Sequence, residues 1–113
     1  MSEAVSVRLP QAPRAMAPSA VRWGQAVLAD VTEVPRAVLQ RPAVESMTAV
    51  VWALAAAADA EGRTSAALTA GLLAQEAGVG DRVWQKRTAW LRARGWLLHG
   101  PGGQRDGWLL VAP

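Results

Sequence analysis

Cysteine is absent from this 113-residue chain, which excludes disulfides, thiolate metal ligands and cysteine nucleophiles together. Phenylalanine and tyrosine are also absent, as are isoleucine and asparagine, and Lys86 is the sole lysine. These are residue types written by AT-rich codons, so their scarcity points to a GC-rich genome of the actinobacterial kind. Under that bias Trp, present six times, fills aromatic core positions, and Arg stands in for Lys. Basic composition alone is then weak ground for a polyanionic partner, and the placement of the charges counts for more. No apolar run reaches the length of a membrane span: Ala49 to Ala58 is too short and leads into Asp59 and Glu61. Glu3, with no apolar core before Pro10, predicts no secretory leader.

Chemistry-bearing clusters are equally scarce. His99, the one histidine, has no acidic pair beside it in sequence, which argues against a metal site or an imidazole base. Asp59, Glu61 and Glu76 form no catalytic pair, and the Ser and Thr residues lack triad partners. Gly100 to Gly103 is glycine-rich but is followed by no Lys-Ser/Thr and no helix, so it is not a phosphate-cradling loop. The sequence predicts no enzymatic activity, no cofactor, no membrane association and a cytoplasmic, nucleoid-associated location.

What is present is a single domain with an arm. Residues 1–20 carry Pro10, Pro13 and Pro18 among Ala, Ser and Gln without apolar periodicity and predict a flexible arm, its Arg8 and Arg14 solvated. Residues 21–113 form the domain. Trp23 to Val34 is of mixed pattern. Pro35 can open a short helix to Gln40, which Pro42 ends. From Glu45 to Asp59, Met47, Val50, Val51, Leu54 and Ala58 recur at helical spacing, with Ser46 as N-cap, Trp52 at the edge of the face and Gly62 in the turn beyond.

A helix begun by Thr64 or Ser65 carries Leu68, Leu72 and Leu73 to Ala77, where Gly78 stops it. Val79 plugs the turn. Asp81 opens the next helix, its carboxylate suited to the positive dipole end, and Gly95 closes it after Arg94. Trp96 to His99 and Trp108 to Val111 read as two strands joined by a glycine-bearing loop, Gly100 to Gly107. The expected class is mainly α with a small β-hairpin (α+β). Helix, turn, basic helix and two-stranded wing in that order make a winged helix-turn-helix.

From Thr32 to Val111 the chain resembles the winged helix domains of plasmid and phage replication initiators and small prokaryotic regulators. The resemblance is carried by Val34-Pro35, Asp59-Ala60-Glu61-Gly62, Leu73-Ala74, Gly78-Val79 and Leu91-Arg92-Ala93-Arg94-Gly95-Trp96-Leu97. Two positions depart from the pattern. Gly80-Asp81 follows the Gly-Val where Ser or Thr is usual, and Thr88 stands where an apolar residue is usual.

On the helix from Asp81 to Arg94, Trp84, Thr88 and Leu91 share one face and are expected to meet the core. The opposite face carries Arg82, Gln85, Lys86 and Ala89, the positions from which such a helix reads base edges in a DNA major groove. Arg87 and Arg92 flank this face and are expected on phosphates, with Gln104 and Arg105 at the wing tip. Arg82 to Arg94 holds five basic residues and no acidic one, so the rest of the chain is near charge balance. The partner this predicts is double-stranded DNA, bound by a transcriptional regulator or a replication or maintenance factor of a chromosome or mobile element.

Trp23 is expected to anchor the N-terminal segment or a homodimer contact. Two other readings make different demands on the tryptophans. A protein-interaction adaptor, binding a partner from the same element, needs Trp90, Trp96 or Trp108 exposed as an anchor. Single-strand binding needs Trp90 and Trp96 as a stacking platform.

Overall fold

A computed structural model of the chain describes residues 16–100 and 103–113, with the side chains of residues 103–106 outside the description. The expected arm therefore lies almost wholly outside the described residues, but its boundary moves. Helix α1, Pro18–Glu33, begins inside it, with proline in the first turn and Ala17 as N-cap. Ala20 is already 1% exposed. The segment read as mixed is one continuous helix. Ala20, Trp23, Gly24, Val27 and Val31 are its buried residues, a three- and four-residue spacing that supplies a single apolar stripe.

Residues 35–40 do not form a helix. Val38 and Leu39 donate to the Pro35 carbonyl at 2.9 and 3.0 Å, closing one turn, and Gln40 is extended with ψ 165°. That residue resets the backbone, and α2, Arg41–Ala57, starts directly after it. Pro42 thus sits in the first turn of α2, where a missing N–H costs nothing, rather than ending an earlier helix. Ser46 is not a cap: it lies inside α2, and its Oγ donates to the Ala43 carbonyl at 3.1 Å. The expected core face holds, with Met47, Val50, Val51 and Leu54 fully buried. Ala58 instead leaves the helix as its extended C-cap.

Asp59 organises the next turn, its Oδ1 accepting from the N–H groups of Glu61 and Arg63 at 2.9 and 3.0 Å. The chain then runs along the sheet instead of entering a helix at Thr64. Leu110 N–H donates to the Gly62 carbonyl and Thr64 N–H to the Trp108 carbonyl. The next helix therefore starts later than its apolar pattern suggests. Helix α3 is Ala70–Ala77, and Thr69 caps it by accepting from the Leu72 N–H at 3.2 Å. Of the three leucines placed on this helix, Leu68 falls before it, and only Leu73 is buried; Leu68 and Leu72 are 36% and 50% exposed.

Gly78 stops α3 at φ 75° as its position predicts. Helix α4, Asp81–Ala93, follows after a three-residue turn. Val79 donates its N–H to Ala74 in that turn and packs against the core. The two strands, β1 (Leu97–Gly100) and β2 (Gly103–Leu110), pair antiparallel, with Leu97 opposite Leu110 and His99 opposite Trp108. β2 extends further back than the expected strand, taking in most of the residues read as loop. The described residues are mainly helical with one two-stranded antiparallel sheet. Among the described residues no helix is long and apolar enough to cross a membrane.

Gly24 explains how α1 and α2 approach. A Cβ built there would lie 2.5 Å from Cζ3 of Trp52, so the indole occupies the space a side chain would need. Alanine at this position gains about 1 kcal/mol of helix propensity but forces the ring out of place, and overpacking costs about 1–3 kcal/mol. Gly24→Ala is expected to lower the urea midpoint despite its better propensity. In a Trp52→Leu background the same substitution is expected to be neutral or stabilising. A loss of equal size in both backgrounds would refute the steric account.

Candidate nucleic-acid interface

Helix α4 divides cleanly into two faces. Trp84, Thr88 and Leu91 are buried, at 1%, 4% and 0% exposed, and Arg82, Gln85, Lys86 and Ala89 are exposed on the other side. Thr88 fits an apolar site because its hydroxyl is internally satisfied: Oγ1 donates within the helix to the Trp84 and Gln85 carbonyls, at 3.0 and 3.2 Å. Asp81 lies in the first turn and Arg92 in the last, each at the end its charge favours. The N-cap is Gly80, with no side-chain cap; the cap does not shift to Asp81, which is the first helical residue and acts there through its charge alone.

The five basic residues of this stretch are not equivalent. Arg94 is held by Asp30 of α1, its Nε and Nη2 donating to the two carboxylate oxygens at 2.8 and 2.6 Å. Its guanidinium also lies 4.8 Å from the ring centroid of Trp90. The hydrogen bond from Arg94 is the main reason Asp30 titrates below its ordinary value; burial opposes it, and the Trp96 indole N–H, at 2.8 Å, adds to the lowering. Arg87 is half-buried, and its Nε donates to Ser46 Oγ on α2 at 2.8 Å. Arg82, Lys86 and Arg92 are exposed and in no ion pair among the described residues. These three carry the charge of the outward face; Arg87 also keeps its charge, since Ser46 is neutral, but is tethered toward α2.

Sequence reading missed the Asp30 clasp. Asp30 and Arg94 are 64 residues apart, and no local pattern marks the pair. Trp23 does anchor α1 on the domain as expected. Its Nε1 donates to the carbonyls of Trp96 and Val111, both at 3.0 Å. Trp96 and Trp108 are 9% and 8% exposed, and Trp90 lies half-covered beside Arg94. The tryptophans therefore form no open stacking platform among the described residues.

Between the N-terminus of α3, the flank of α4 and the base of β2 lies a groove of about 510 Å³, lined by Thr69, Ala70, Trp84, Gln85, Ala89, Arg92 and Trp108 among others. Trp84, one of the lining residues, buries its Nε1 without an acceptor among the described residues, an omission that costs about 1–3 kcal/mol. A smaller groove on the far side of Arg92 reaches His99. The His99 Nε2 is likewise unpartnered, and its ring lies 4.6 Å from that of Trp108. Burial, and then the charge of Arg92, hold its pKa below the ordinary value, which favours the neutral imidazole. The backbone of Gln104 and Arg105 lies in β2, but their side chains, expected at the wing tip, fall outside the described residues. Among the described residues no group of acids and histidine is arranged to hold a metal ion. Comparison with protein-family models, curated proteins and solved structures found no match.

The Asp30 clasp makes stability depend on acid. A carboxylate whose folded pKa is depressed contributes stability above its unfolded pKa and loses it as pH falls toward the folded value. The wild-type urea midpoint should therefore drop between about pH 5 and pH 3 more steeply than that of Asp30→Asn. Parallel pH profiles would mean that the clasp contributes nothing net.

Proposed function

We propose that the chain is a winged helix-turn-helix protein that binds double-stranded DNA. In this reading α3, the Gly78–Gly80 turn and α4 form the helix-turn-helix, α4 enters the major groove, and the β1–β2 hairpin is the wing. The observation that carries it is the outward face of α4. Arg82, Gln85, Lys86 and Ala89 are all exposed on one side of a helix whose other side is buried. Arg and Lys donate to guanine O6 and N7, Gln pairs with adenine, and Ala89 permits close approach or meets a thymine methyl. Arg92 sits beside the groove toward β2 and suits a backbone phosphate. Arg87 keeps that role only through the donors it does not give to Ser46.

The cellular role that goes with this is a transcriptional regulator or a replication or maintenance factor, acting as a homodimer where its site has two halves. The adaptor reading loses its best anchors, because Trp96 and Trp108 are buried and Trp90 is shared with Arg94.

The test is fluorescence anisotropy with a randomised duplex pool and a matching single strand at two salt concentrations. If about four to six phosphates are neutralised, log K should fall with log salt at a slope of roughly −4 to −5, with duplex preferred. Once a site is selected from the pool, Arg82→Ala and Lys86→Ala should each cost about 1–3 kcal/mol on that site. An equal loss on random duplex would remove base reading and leave phosphate contact. No binding at low salt would sink the proposal.

A further inference from the structure

We propose that the groove between α2 and α3 is the seat of the chain's own N-terminal segment, entered by Val5, Val7 and Leu9. The groove, about 450 Å³ in volume, is walled by Ala53, Ala56 and Ala57 of α2, by Leu72 and Leu73 of α3, and by Leu68. Alanines leave the α2 wall shallow. Leu72 stays 50% exposed and Leu68 36%, two of the four large apolar side chains exposed among the described residues. Isolated exposed leucines are ordinary, but two that share one apolar concavity mark a contact site.

The attachment point of the segment lies beside this groove. Met16 and Ala17 pack against the core, and Ser19 Oγ donates to the Ala60 carbonyl at 2.9 Å. The chain therefore enters α1 next to the turn in which α2 ends. No more than about 11 Å of chain separates Ala60 from Ala57 in the groove wall, whereas the stretch from Leu9 to Met16 reaches about 25 Å when extended. A tether of that length makes docking an intramolecular event at high effective concentration, which a separate partner has to outcompete.

The sequence of the segment suits the seat. It lacks helical periodicity, but Val5, Val7 and Leu9 alternate with Ser6 and Arg8. In an extended backbone that alternation puts the three apolar side chains on one side, and Pro10 biases Leu9 toward such a backbone. The charges agree as well. Glu76 is the one charged residue among the groove's described lining, and residues 1–15 bring Arg8 and Arg14 against a single acid, Glu3. Arg8, on the polar side of the alternation, stays solvated at the rim, where Glu76 is exposed. The seat exists whether or not α4 reads DNA.

The experiment uses the absence of cysteine: Ser6→Cys in the full chain gives one site for a nitroxide label. Its paramagnetic broadening of backbone amide peaks is read by NMR against the same chain with the label reduced. The amides of Ala56, Ala57, Leu72 and Glu76 should lose most of their intensity. Adding Leu9→Ser, a change that leaves the described domain untouched, should restore most of it, and so should adding Leu72→Ser. Groove peaks that keep their intensity, or that are broadened equally with and without Leu9→Ser, would overturn the seat. A mixture of isotope-labelled chain lacking the nitroxide with unlabelled chain carrying it reads contacts between copies. Broadening of the same peaks in that mixture would also overturn the proposal, since the groove would then take the segment of a second copy.

Discussion

The carboxylate of Asp30 is the point at which the first helix, the basic helix and the sheet are tied together. One oxygen accepts from Arg94 Nη2, and the other accepts from both Arg94 Nε and the indole N–H of Trp96. Arg94 is the C-cap of α4, and Trp96 immediately precedes β1. A fork-to-fork Arg–carboxylate contact fixes orientation as well as distance, so it sets the direction in which α4 leaves the core. Trp23 repeats the connection one layer deeper, bonding the Trp96 and Val111 carbonyls. Helix α1 is therefore the brace that holds the exposed face of α4 in register with the hairpin.

The clasp also changes how the charge of the basic stretch is read. Counting residues gives five positive charges, but one is neutralised against α1 and a second is tethered to Ser46. What faces outward is a narrower feature, made of Arg82 and Lys86 on successive turns and Arg92 further along. Charges on consecutive helical turns offer a defined spacing to a partner, whereas a diffuse basic surface attracts any polyanion through its field alone.

Much of the fold was legible because it rests on local rules. The apolar spacing of Met47, Val50, Val51 and Leu54, the left-handed stop at Gly78 and the split faces of α4 all follow from helical periodicity and glycine chemistry. The reading failed where local signals compete. Pro42 reads as a helix stop and Pro18 as part of an arm, although proline suits a first helical turn as well as it ends a helix. Trp23 to Val34 reads as mixed, although Ala20, Trp23, Val27 and Val31 mark one face. The placement of Leu68 failed for another reason: the backbone of Gly62 to Thr64 is committed to β2, which the periodicity of the residues after it does not register. In the candidate site, the exposed residues of α4 could be named from spacing, but the internal engagement of Arg87 and Arg94 could not. Those contacts join residues 41 and 64 positions apart.

The tryptophans show why residue identity matters beyond aromatic bulk. A compositional bias that replaces Phe and Tyr by Trp explains large rings in the core, and by itself it leaves the N–H groups as a liability to be satisfied. At Trp23 and Trp96 the indole donors hold α1 to the sheet and to the clasp, work that phenylalanine could not do. Trp84 is the contrasting case. Its ring is buried as thoroughly as any described in the chain, and a phenyl group would serve the packing without an orphaned donor. The unmet N–H is a cost of about 1–3 kcal/mol that the apolar contacts of the ring have to offset, so the same bias that gives α1 its two anchoring donors leaves α4 with one that the fold does not use.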